Sequence, residues 1–457
     1  MKKLFKGGCI IYGDHRENSD ILVEDGKILK VEADIKDEEA KVINVEGRFL
    51  FPGFIDPHTH FDLEVCNTVT ADDFYSGTKA AIAGGTTTII DFATQERGED
   101  LLFAVEHWNQ KSQGKSSCDY GYHMAISEWN EVISRQMEEM TQKGITSYKI
   151  YMTYDNMILD DEHIYDALSR IKEVGGIAGV HCENSGLIKA LVEKEKGKGV
   201  FSPAGHPASR PVEAEAEAIN RLLEIAAVVD VPVVVVHLST KRGFEVIENA
   251  RSRGQKVYVE TCPQYLLLNE DKYHLPGFES GKYVCAPPLR KKENSEALWE
   301  ALVNNQIMTI ATDHCSFTLQ QKEAGKDDFT KIPGGMPGIE TRPTLIYTFG
   351  VEQGLLTIEQ MCEYLSENVA KLYDMYPRKG TLLPGSDADI VVWNPQESRT
   401  LSVTNQVSRS DYCPFEGTKV QGIAEQVYLR GTLVAEGGKV ICEKQGEFVS
   451  RTKGEYR

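Results

Sequence analysis

A (β/α)8 TIM-like barrel of the α/β class, carrying a small β-sandwich built from both chain ends, is the fold this sequence predicts. Three observations predict it. Eight short apolar runs recur through the middle of the chain, most of them followed by amphipathic helical sequence. Both chain ends are β-rich, with strands separated by glycine turns. Polar residues close five of the eight runs, at the end of the strands where a barrel of this kind keeps its chemistry.

The elements follow in order. Asp20-Ile21-Leu22-Val23 and Lys27-Ile28-Leu29-Lys30-Val31 flank Glu24-Asp25-Gly26, whose Asp-Gly step is a strong signal for a tight hairpin. The barrel strands are expected at Gly53 to His58, Thr86 to Phe92, Tyr120 to Ile126, Thr146 to Met152, Ile177 to His181, Pro232 to His237, Lys256 to Thr261 and Ile307 to Asp313. Parallel strands buried on both faces read as such continuous apolar runs. Helices are expected over Glu131 to Lys143, Glu162 to Val174, Val212 to Val229 and Ser295 to Asn304. Ala388 to Trp393, Gln426 to Gly431 and Thr432 to Ile441 then read as strands parted by glycine turns. The expected division is residues 1–52 with 380–457 as sandwich and C-terminal tail, and 53–379 as barrel. There is no internal repeat, low-complexity tract or long linker.

A chain of 457 residues buries a large core without disulfide or metal staples. Its net charge of −19 argues against nucleic acid or an anionic membrane as the main partner. Lys2, Lys3 and Lys6 precede only the short run Cys9-Ile10-Ile11-Tyr12, too short for a signal-peptide core. No apolar run reaches the roughly 18 residues of a membrane span. The ten Cys include no Cys-x-x-Cys pair, so neither a zinc ribbon nor a disulfide framework is indicated. A reduced, cytoplasmic protein is the expectation. Cys182 and Cys315 neighbour candidate ligands but are expected to be buried apolar residues.

The segment Gly53-Phe54-Ile55-Asp56-Pro57-His58-Thr59-His60 sets two imidazoles two residues apart, which strand geometry aims at one side. Such a pair can share a metal ion. Lys149, His181, His237 and Asp313 lie at or near the ends of other runs. A lone strand-end His such as His237 is more often a hydrogen-bonded core residue. Four His and one Asp at one end of a barrel point instead to a divalent metal, and zinc suits imidazole and carboxylate. An ammonium at Lys149 would be repelled by such a centre. Carboxylated by CO2, the same side chain is an anion with one oxygen for each of two metals; the alternative is an aliphatic stem whose charged tip reaches solvent.

These stretches, with Ser147-Tyr148-Lys149-Ile150-Tyr151-Met152-Thr153-Tyr154, Val180-His181-Cys182-Glu183-Asn184, Val236-His237-Leu238-Ser239, Glu260-Thr261-Cys262-Pro263-Gln264-Tyr265-Leu266 and Ala311-Thr312-Asp313-His314, resemble the amidohydrolase superfamily. Within it the chain is similar to the dihydropyrimidinase and hydantoinase family, nearly end to end. The resemblance implies a cyclic amidohydrolase with two Zn2+ per subunit. His58, His60 and Asp313 would bind one zinc, His181 and His237 the other, and N6-carboxylated Lys149 would bridge them. A bridging water or hydroxide would be the nucleophile, Asp313 would shuttle its proton to the leaving ring nitrogen, and Tyr154 would donate to the oxyanion. A packing role is the alternative for Tyr154.

Ala286 stands where the family usually has Ser before Pro-Pro-Leu-Arg, and Gly334 where it usually has Asn. The family's ring contacts at these positions are largely main-chain, which any residue supplies. Leu63, Val65, Tyr151 and Ile158 match loop positions that cradle the exocyclic substituent, and their apolar character suits an aryl or alkyl group. Packing competes equally for each of them singly. The implied reaction opens 5-substituted hydantoins or related cyclic ureides to N-carbamoyl amino acids. Dihydropyrimidinase and then allantoinase are the alternatives; a dihydroorotase would carry Arg where this chain has Asp62. A non-catalytic scaffold of the same fold is the rival from another class. The resemblance also implies a homotetramer, with a charged tail such as Gly446 to Arg457 reaching a neighbour.

Overall fold

The computed structural model describes residues 2–453. Gly454 to Arg457, the end of the expected tail, lie outside the described residues. Eight parallel strands line up in sequence order: β1 (Phe54–Thr59), β2 (Thr86–Thr94), β3 (Asp119–Ala125), β4 (Ser147–Tyr151), β5 (Ile177–His181), β6 (Val233–Val235), β7 (Val257–Thr261) and β8 (Thr309–Ile310). The barrel closes just beyond β8. Thr59 bridges His314, His60 N–H donates to His314 O (2.8 Å), and His314 N–H donates to His58 O (3.3 Å).

Strands β6 and β8 are shorter than the apolar runs that encode them, and buried side chains explain both. Asp56 accepts from Thr312 N–H (3.2 Å) and from its hydroxyl (2.6 Å), replacing the strand ladder at the end of β8. Glu260 accepts His237 N–H at 3.3 Å beyond β6, where His237 has φ 41°. Alternation sorts the faces: Tyr148 and Ile150 pack outward with Met137, Ile164 and Leu168 of the helices, so Ser147 and Lys149 face the barrel interior.

The chain ends form two further sheets. One orders Lys27–Glu32, Asp20–Glu24, Lys3–Lys6 and Lys41–Asn44; the other runs from Lys439–Val440 through Thr432–Glu436, Lys419–Leu429, Ile390–Thr400, Phe49–Pro52 and Cys9–Ile11 to Arg16–Asn18. Phe5, Ile10, Ile21, Ile28, Leu50, Ile390, Val392 and Tyr428 make a core of their own. Asp25 and Gly26 both adopt positive φ (49° and 79°), as an Asp-Gly hairpin requires.

The described part of the tail packs on its own barrel. Val449 joins Ile55, Ile90, Ile177 and Val234 at the barrel floor. Arg451, fully buried, donates to Ser147 Oγ (2.8 Å) and to Tyr122 O. Beside it Lys379 reaches Asp119 (2.5 Å), Asp389 (2.6 Å) and Asp387 (3.0 Å), tying barrel to sandwich. Among the described residues no helix is long and apolar enough to cross a membrane.

Candidate active site

At the C-terminal end of the barrel strands, the structure brings His58, His60, Lys149, His181, His237 and Asp313 to the wall of one cavity of about 1360 Å³. His58 and His60 come from β1, one at its end and one just past it. His58 Nε2 and His60 Nε2 each lie 3.2 Å from Asp313 Oδ1. These three ligand atoms fall within 4.8 Å of one another. The His237 ring centroid sits 4.6 Å from that of His181 and 5.4 Å from that of His58.

The imidazoles are set up as acceptors. His58 donates from Nδ1 to Glu260 Oε1 (2.6 Å), which turns Nε2 toward the cavity, and His181 donates from Nε2 to Glu183 Oε2 (2.8 Å). A carboxylate on one ring nitrogen fixes the tautomer and raises the basicity of the other. Burial holds His58, His181 and His237 below the usual imidazole range, in the neutral form that binds metal. His58 Nε2 and His237 Nδ1 are buried and make no hydrogen bond. Orphaned nitrogens beside a carboxylate are costly unless something fills them, and the donor set fits a divalent cation.

Lys149 lies in mid-strand, buried, with Nζ 4.9 Å from the Phe92 ring and 5.2 Å from the Tyr151 ring. Burial pushes its pKa down to about 8, against the pull of Asp313 and Glu260. A larger share of neutral amine is what reaction with CO2 requires.

Three of these positions carry backbone strain. Tyr154, His237 and Asp313 have φ of 69°, 41° and 52°, in the left-handed region that non-glycine residues avoid. Tyr154 lines the cavity 5.2 Å from the His181 ring, and burial raises its pKa, keeping the hydroxyl protonated as a donor.

Of the expected substrate contacts, Leu63, Val65, Tyr151, Tyr154, Ala286 and Gly334 line the cavity. Ile158 does not. Met157 and Ile158 N–H both donate to Tyr154 O (2.9 and 2.8 Å), a turn that puts Met157 at the wall and leaves Ile158 O to accept from Arg97. All ten Cys are free. Cys182 and Cys315 are buried, burial pushes both thiols up, and neither joins a metal-type cluster among the described residues.

Sequence reasoning missed the orienting groups. Glu183 also pairs with Arg210, and Arg210 with His181 holds its carboxyl down at about 2 against the opposing effect of burial. His181-x-Glu183 hints at such a partner by its strand spacing. Nothing local announces that Glu260 serves His58.

Residues 49–434 match the profile of the amidohydrolase family. The D-hydantoinase of Geobacillus stearothermophilus is 41% identical, over 99% of this chain and 97% of that one. The dihydropyrimidinase of Dictyostelium discoideum is 39% identical, over 98% and 90%. The crystal structure of the dihydropyrimidinase of Brevibacillus agri superposes with a TM-score of 0.98 at 40% identity, over 99% of each chain. A barrel with this ligand cluster at its mouth and likeness of this extent lead to one conclusion: the chain belongs to the amidohydrolase family, among hydrolases of the hydantoinase and dihydropyrimidinase type.

Proposed function

We propose that this protein hydrolyses an amide bond of cyclic ureides, 5-substituted hydantoins foremost, giving N-carbamoyl amino acids. The observation that carries the reading is the convergence of His58, His60 and Asp313 with orphaned imidazole nitrogens beside buried Lys149. In this reading His58, His60 and Asp313 would hold one zinc ion, His181 and His237 would hold a second, and Lys149, as its carbamate, would supply an anionic ligand to both. When bound, the ions supply Lewis acidity and lower the pKa of water enough to give a nucleophile near neutral pH.

The chain's own groups do the rest. Glu260 and Glu183 keep the imidazole tautomers in ligand form. Asp313 takes the proton of the attacking water on its carboxylate and returns it to the ring nitrogen as the C–N bond breaks. The Tyr154 hydroxyl donates to the carbonyl oxygen as it gains charge. Main-chain groups around Ala286 and Gly334 hold the ring, while Leu63, Val65 and Tyr151 receive the substituent. An N-carbamoyl amino acid is then released. A homotetramer in the cytoplasm belongs to the same proposal, and light scattering reads the assembly state.

A substrate panel tests the reading. Burying a phenyl ring against Leu63, Val65 and Tyr151 contributes about 2 kcal/mol at roughly 25 cal/mol per Å². Kept in the transition state, that is near thirtyfold in kcat/KM. The expected order is 5-phenylhydantoin above hydantoin and dihydrouracil, and all three above allantoin, whose ureido group loses hydration there without an assigned partner. Allantoin as best substrate overturns the pocket; no turnover of any cyclic ureide by metal-loaded protein overturns the function and favours a scaffold.

A further inference from the structure

The segments that would receive the ring have almost no side chains with which to fix themselves. Ala286 offers a methyl group, Gly334 and Gly335 nothing. A Cβ on Gly335 (φ 152°) would meet Cys315 O at 2.3 Å. Ring contacts here would come from main-chain N–H and C=O groups, and their accuracy would depend on whatever immobilises that backbone.

Two buried basic side chains without a part in the proposed chemistry lie against this loop. Lys322 is fully buried and forms no ion pair among the described residues. Its ammonium donates to Val284 O (2.9 Å) and Pro333 O (3.1 Å). Val284 is two residues before Ala286, and Pro333 immediately precedes Gly334. Val284 O also accepts Gly335 N–H at 2.9 Å, so one ammonium staples two segments that already touch. A buried charge with no counter-ion weakens the fold, which makes two well-formed carbonyl bonds the principal gain from this one. At the loop's far end, His314 Nδ1 accepts from Gly338 N–H (3.1 Å) and Ile339 N–H (3.2 Å), while Nε2 donates to Asp72 (3.1 Å). The main chain of His314 meanwhile bonds to His58 and His60, so the loop is registered to the ligand strand.

We propose that Lys322 is a positioning residue for the substrate ring, clamping the Val284–Ala286 and Pro333–Gly335 segments together while His314 pins the far end of the same loop. The inference rests on the reading of this cavity as a cyclic-ureide site. It assigns Lys322 no contact with substrate. Its effect belongs to the ring, not to the substituent.

Lys322→Met in the metal-loaded holoenzyme removes the donors and keeps the stem. Losing two carbonyl bonds is expected to raise KM about tenfold or more, by the same factor for hydantoin and 5-phenylhydantoin, with metal content and kcat near wild type. Hydrogen exchange at Gly334 and Gly335 is expected to accelerate in the variant without substrate, a readout independent of turnover. Lys322→Gln, which keeps amide donors on a shorter, uncharged side chain, is expected to fall between the two and replaces Met should that variant not fold. Unchanged KM with unchanged exchange overturns the proposal, as does a loss confined to kcat or to the phenyl substrate. Failure of wild-type enzyme to open any cyclic ureide would defeat the functional reading instead, while the exchange experiment would still report on the clamp.

Discussion

At the floor of the barrel Lys379 is held by Asp119, Asp387 and Asp389, with Arg430 closing on Asp119 from outside. At the mouth, His58, His60 and Asp313 form a cluster just as compact, yet His58 Nε2 is orphaned there, as is Nδ1 of neighbouring His237. Both triads have the composition of a metal site. Only one has unfilled valence. In the floor, the carboxylates outweigh burial and raise the pKa of Lys379, so the charges complete one another. In the mouth, burial strips charge from the imidazoles and nothing in the chain replaces it. Clustered ionisable groups therefore mark a candidate site only where their bonding is incomplete.

The comparison breaks most readily at Lys149. Lys149→Ala removes the proposed bridge and is expected to lower kcat by about 10³ or more, several kcal/mol of transition-state stabilisation, with metal below two ions per chain and partial rescue by small carboxylates. An unmodified lysine mass in active, metal-loaded enzyme would refute the bridge. The matching test at the floor is Lys379→Met, which leaves Asp389 without an ion pair among the described residues while Asp119 keeps Arg430 and Asp387 keeps Lys27 and Arg378. It is expected to reduce unfolding free energy by about 3 kcal/mol in denaturant titration while kcat of the folded enzyme holds.

Tyr154→Phe comes next, with kcat down by about 10² to 10³ and metal content intact. A change under about threefold would show that the hydroxyl only packs. The smallest effect is a pH dependence at the floor. Lys379 holds Asp387 at about 2, below the ordinary carboxylate value, despite burial. The unfolded chain therefore binds the proton first as pH falls, and Asp387's contribution, complete above about pH 4, is lost toward pH 2. Asp387→Asn should flatten that part of the acid unfolding curve.

Much of this was legible in sequence because the signals are local. His58-x-His60 follows from strand alternation, and eight apolar runs encode eight strands. Lys149 stood out because a lysine makes no sense among metal ligands. The rest depends on meetings between distant parts of the chain. Glu260 reaches His58 from another strand, and Arg210 reaches Glu183 from a helix-flanking turn. Lys322, in Gln320-Gln321-Lys322-Glu323, reads as an exposed helical lysine and is fully buried. Ile158 lies off the cavity wall and Met157 on it, in a turn closed on Tyr154 O that apolar character alone does not reveal. Nothing in the tail's charge announces that Arg451 meets a carbonyl and a hydroxyl under the barrel.

That tail has a consequence for how the molecule is made. Phe49–Pro52 pairs with Ile390–Trp393, and Val449 seals the floor, so strands from the first pages of the message wait for partners from the last. At about 5–20 residues per second, the apolar faces of Phe5, Ile21 and Leu50 stay uncovered on the ribosome for roughly tens of seconds. Every proposed metal ligand lies within residues 53–379, yet that fragment lacks its floor and the strands beside it. A chain cut before Val449 is expected to leave that floor open to water.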